Sequence, residues 1–213
     1  MKKILSIVVL FICQNLFCQE YTFDYYYEFD NNNTVAVMIN SNDDNYYFTC
    51  RRDNEAIWGY LYDNKRMVRH NFEVLNFENS LQFNYLSSNK IKLSDYSYFE
   101  KNMQYDAITE DIDSIKTKAI VTKNQVNKKG KKKFRGKIEL EYDNDGGLFP
   151  AKLLVYFGHH FLDHRELSFI ENKLPTKVTF DYNNGIIDII KLKKKLKINT
   201  SLIISAEQIV YKI

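Results

Sequence analysis

Four residues in one short stretch are of the types that bind metal: His159, His160, Asp163 and His164. On a helix, His160 and His164 share a face at the i, i+4 spacing that suits zinc, and Asp163 or His159 can add a ligand. Residues 159–171 have the length of a short helix, although their apolar spacing is indifferent. The zinc-protease pattern needs a glutamate directly after its first histidine, and Phe161 stands there instead. The one other histidine, His70, is far away in sequence, so a catalytic zinc centre with its supporting groups lacks members. The four residues are candidate metal ligands and carry the alternative of a metal-dependent hydrolase. No metal and no catalytic residue is assigned.

Two further clusters could do chemistry of a non-catalytic kind. Lys128, Lys129, Lys131, Lys132 and Lys133, followed by Arg135 and Lys137, could touch phosphate or an anionic membrane surface. Phe134 is the one ring there on which a base could stack, so nucleic acid is not an expected partner. The plainer reading is a solvated hairpin tip that also discourages edge-to-edge aggregation. Tyr21, Phe23, Tyr25, Tyr27 and Phe29 share a parity and so form one face of a strand. That face either packs into the core or lines a ligand groove, and the single tryptophan, Trp58, has the same two readings. A glycine-rich phosphate loop, a Gly-x-Ser-x-Gly elbow and a Cys-x-x-Cys pair are all missing from the sequence. Neither a cofactor nor an enzymatic activity is predicted.

The elements that must position these residues read as strands. Alternation of period two recurs along the chain, broken by Asn, Asp and Gly clusters, the pattern of antiparallel sheet. In residues 177–182, Val178, Phe180 and Tyr182 point one way and Lys177, Thr179 and Asp181 the other. Asn183-Asn184-Gly185 then supplies a tight turn into a return strand over 186–198. There Lys194 falls on the apolar face, which a bulge or an edge position would explain. A second hairpin pairs 117–125 with 134–142. Further strands are predicted over 21–29, 34–40, 46–51, 56–62, 67–77, 81–85, 91–98, 148–157 and 202–211. Residues 99–115 lack alternation and read as an acidic loop with at most a helical turn. The expected fold is mainly β, with little helix: about a dozen strands in a large antiparallel sheet, curved or closed into a half-open barrel.

Composition bounds the rest. Met1, Lys2 and Lys3 precede an apolar run from Ile4 to Cys13, the order of a secretory signal, and the run is too short to cross a bilayer. Residues 1–18 are predicted to be the signal peptide, cut after Cys18, and 19–213 a single β-sheet domain. Bulky Phe17 before Cys18 departs from a lipoprotein signal, so soluble export, periplasmic or secreted, is expected over an anchor at Cys18. Of three cysteines only Cys50 then remains, which rules out an internal disulfide and suggests a buried, inert thiol. The formal charge of +3 includes Lys2 and Lys3, so the remainder is near neutral and gives no general attraction to polyanions.

Signal peptide, antiparallel strands and a late Leu174-Pro175-Thr176-Lys177-Val178 segment feeding the Asn-Asn-Gly hairpin together resemble small exported β-sheet proteins of Gram-negative bacteria with a periplasmic lipoprotein-carrier-like fold. The resemblance implies an unclosed barrel with an apolar inside, and hence an exported, non-enzymatic carrier holding an apolar or amphipathic ligand. A structural role, or contact with an envelope protein, is the other non-catalytic expectation.

Overall fold

A strand that alternates apolar and polar residues buries one face, and clusters of Asn, Asp and Gly turn it back upon itself. The computed structural model describes residues 18–30, 34–75, 82–91, 102–143, 147–150, 153–154 and 173–205. They form β1 (Gln19–Asp30), β2 (Thr34–Asn40), β3 (Asp43–Asp53), β4 (Ala56–Asp63), β5 (Val68–Leu75), β6 (Gln82–Lys90), β7 (Met103–Asp111), β8 (Lys116–Val126), β9 (Lys132–Asp143), β10 (Pro175–Asp181) and β11 (Ile187–Ile204). All belong to one open, unclosed antiparallel sheet, in the order β6-β5-β4-β3-β2-β1-β11-β10-β9-β8-β7. Among the described residues, helical structure is confined to 153–154. The mainly β expectation is met.

The chain divides into two compact units. The first takes its described residues from Met1–Tyr26, Met38–Ile91 and Leu196–Ile213. Its strands β3 to β6 form a meander in which Phe48, Leu61 and His70 lie in register, as do Cys50, Gly59 and Phe72. This face is lined with rings. Phe48 stacks edge-on against Phe23 and Phe83, at 6.4 and 4.9 Å between centroids, and tilts over Phe72 at 5.6 Å. Gly59 makes the room: a Cβ there would run into the Phe48 ring. On the opposite face Tyr47 stacks on Tyr62, and the Arg69 guanidinium lies over the Tyr60 ring.

The second unit comprises Tyr27–Val37 and Lys92–Lys195. Val121, Ile138, Leu140, Val178 and Phe180 bury one face of β8, β9 and β10, while Phe149 packs against Tyr27 and Phe29. The other face carries a ladder of opposite charges: Lys118 and Lys137 both reach Glu139 at 2.7 Å, and Lys177 reaches Glu141 at 2.7 Å. The hairpin between β10 and β11 turns on Asn183 and Gly185, both at positive φ, as the Asn-Asn-Gly chemistry predicts.

Three expectations need correction. The stretch 99–115 contains strand β7; the described part of that strand lies at the end of the sheet, and exposure on both faces leaves nothing to impose alternation. The strand predicted over 81–85 runs further, as β6, because Ser87, Ser88 and Asn89 pair with β5 instead of turning; the strand predicted over 91–98 lies, apart from Ile91, outside the described residues. Within 148–157, the described residues show an isolated bridge from Leu148 to Lys173 and helical Leu153 and Leu154 rather than a strand. Lys194 lies on β11 beyond its pairing with β10, which ends at Lys177↔Lys191, so it takes the edge position expected of it and is exposed together with its neighbours over 193–197.

Candidate functional site

β5 alternates cleanly, and Val68, His70, Phe72 and Val74 are all buried on its ring-lined face. A histidine among these residues needs partners for both ring nitrogens, because an unpaired polar atom in a dry interior costs about 1–3 kcal/mol. The neighbouring strands provide them. Ser88 on β6 places Oγ 2.5 Å from His70 Nδ1, and Tyr21 on β1 places its hydroxyl 3.3 Å from Nε2. Tyr21 donates to Asp63 Oδ2 at 2.8 Å, at the end of β4. Asp63 in turn accepts from Arg66 Nη1 and from the Arg66 backbone N–H, each at 2.7 Å, across the turn to β5. Tyr85 closes the other end, with its hydroxyl 2.7 Å from Ser88 Oγ.

Proton order along this chain follows from what each group can give. Asp63 is a carboxylate and only accepts, so the one phenolic proton of Tyr21 goes to it in preference to Gln19 Oε1, also 2.8 Å away. Tyr21 Oη then accepts from His70 Nε2–H, which leaves Nδ1 to accept from Ser88 and Ser88 to accept from Tyr85. Every member has one consistent role. Burial pushes His70 down to about 4, so the imidazole is neutral, as this order requires. Burial also works to raise the Asp63 carboxyl, but hydrogen bonds from Arg66 and Tyr21 outweigh it and hold it below the ordinary range. The Tyr21 phenol is raised, first by burial and then by Asp63.

Ser, His and Asp in one hydrogen-bonded chain suggest a nucleophile with its base, but this arrangement differs in two ways. A phenol stands between imidazole and carboxylate, and both Ser88 and His70 are fully buried. As it stands, the chain holds strands together and presents no accessible nucleophile. Its open end lies at the rim. Phe83 and Tyr85 are half-buried and continue the ring cluster outward, Phe72 lying 6.2 and 5.5 Å from them. The Arg66 side chain is 52% exposed beside the carboxylate. One sheet face thus offers an apolar strip that runs into a polar end.

The residues singled out by sequence fall as follows. His159, His160, Asp163 and His164 lie outside the described residues; among the described ones, no group of three or more His, Cys, Asp or Glu is placed to hold a metal. Lys128, Lys129, Lys131, Lys132 and Lys133 are exposed at the β8–β9 turn. Asn127 Oδ1 accepts the backbone N–H groups of Lys129 and Lys131 and shapes that turn. Lys132 reaches Asp106 at 3.0 Å. Tyr21, Phe23, Tyr27 and Phe29 are buried, whereas Tyr25 is half-buried. Cys50 is buried and its thiol is pushed up to about 12 by that burial.

Sequence reasoning left His70 isolated, although its parity with Val68, Phe72 and Val74 was the signal for a core histidine. Ser88 gave no such signal, because Ser-Ser-Asn reads as turn chemistry. No protein-family model matches the chain, and no curated protein matches it.

Proposed function

We propose that the protein is an exported, non-enzymatic binding protein, carrier-like in fold, that takes an apolar or amphipathic ligand on its sheet. The observation carrying this reading is the ring strip of the first unit, with Phe83 and Tyr85 half-buried at its rim and Arg66 exposed beside its polar end. An apolar chain would lie over Phe83 and Tyr85, and an acidic head would meet the Arg66 guanidinium. The absence of catalytic motifs from the sequence supports a role in holding rather than transforming the ligand.

Displacement of an anilinonaphthalene sulfonate dye by oleate tests it. Oleate should displace the dye, and Phe83→Asp should weaken oleate binding roughly tenfold, equivalent to about 1.4 kcal/mol. No oleate binding, or equal binding by the variant, would reject the reading. Export is tested separately: the chain recovered outside the cytoplasm should begin at Gln19.

A further inference from the structure

β7 is paired along one side only, to β8, among the described residues. Two backbone bonds fix where its peptide groups point. Val126 N–H donates to the Asn102 carbonyl and Ile112 N–H donates to the Lys116 carbonyl. Between them the register runs from Met103↔Gln125 to Asp111↔Thr117 without a shift. Hydrogen-bonded positions of an antiparallel pair recur at every second residue. Gln104, Asp106, Ile108 and Glu110 therefore bond to β8. Ala107 and Thr109 turn their N–H and C=O groups to the side away from β8.

Edge strands are ordinarily blunted by proline, lysine or a bulge. β7 has no proline, no lysine and no register shift. From Asp106 to Asp111 every residue is exposed, and Ile108 is 55% exposed. What the strand carries is negative charge: β7 holds three acidic side chains, Asp106, Glu110 and Asp111, and no basic one. Asp106 has Lys132, but Glu110 stands opposite Lys118, which sits 2.7 Å from Glu139. A second copy adding through the same strand would bring acid against acid.

We propose that β7 is a strand-addition site for an extended, basic segment of a partner protein. Ala107 and Thr109 would exchange backbone hydrogen bonds with the incoming strand. Its lysine or arginine side chains would lie beside Asp106, Glu110 and Asp111. The site is independent of the ring strip, and its test does not involve the oleate ligand.

The probe is a nine-residue peptide of alternating lysine and valine, titrated into the purified chain by fluorescence anisotropy. It should bind, and more weakly as salt rises. A version N-methylated at alternate residues, and the variant Ala107→Pro, should each weaken binding roughly tenfold through lost strand hydrogen bonds. Ala107→Pro removes an N–H from the side away from β8, so the ladder to β8 keeps its bonds. If that variant fails to fold by circular dichroism, Glu110→Lys with Asp111→Lys decides: it should lose the lysine peptide and gain the glutamate version. Failure of the lysine peptide to bind would overturn the proposal, as would equal binding of the N-methylated form. A dimer of the purified chain that Ala107→Pro dissociates would show the occupant to be a second copy, and would overturn it too.

Discussion

His70 is held neutral by its surroundings: burial disfavours the charge, and Tyr21, Asp63, Arg66, Ser88 and Tyr85 face it from β1, the β4–β5 turn and β6. Its ordinary value of 6.5 falls to about 4 in the folded chain. Between those values the unfolded chain binds a proton that the folded chain refuses. Stability is therefore greatest above the unfolded value and declines as pH drops toward the folded one, by about 3 kcal/mol for a shift of this size. Asp63, lowered when folded, adds a further loss at still lower pH, as the carboxylate protonates. We expect urea midpoints to fall steadily from pH 7 to pH 4, with His70→Gln flattening that decline. An unchanged slope in the variant would remove His70 as its cause. Ser88→Ala leaves Nδ1 without its donor and should cost about 1–3 kcal/mol at neutral pH.

β4 shows what an element needs beyond alternation. Gly59 sits between Cys50 and Phe72 in the ladder, and the Phe48 ring occupies the space that its side chain would take. Gly59→Ala should destabilise by about 1–3 kcal/mol through overpacking. Combining it with Phe48→Leu should cost less than the two separate effects added, because the smaller side chain relieves the same collision. Melting temperatures of the three variants measure this coupling, and strict additivity would contradict it. The strands whose two faces differ were legible in sequence: the β8–β9 and β10–β11 hairpins stand where alternation and Asn-Asn-Gly place them. β7 was not legible, because alternation records burial and its side chains are buried on neither face. β6 was obscured by serines that are buried beside β5 rather than turning in solvent. The ring face could be read from Tyr21 and Phe23, but the hydrogen-bond partners of His70, Tyr21 and Ser88, come from two strands distant in sequence, and only the folded sheet brings them together.

At the scale of the whole molecule, three strands belong to both compact units. β1 passes from one to the other after Tyr26, β2 after Val37 and β11 after Lys195. Neither unit can unfold without fraying strands whose remainder belongs to the other, so we expect one cooperative transition. Trp58 fluorescence, which reports on the first unit, and far-ultraviolet circular dichroism, which reports on all the sheet, should give coincident urea curves. Separate midpoints would show the units to be independent. The same order has a consequence in time. β1 is the first of these strands to be synthesised and its neighbour β11 is the last. Until the ribosome has nearly finished, the opening strand has no mate along one side, and the sheet cannot be completed from its own beginning.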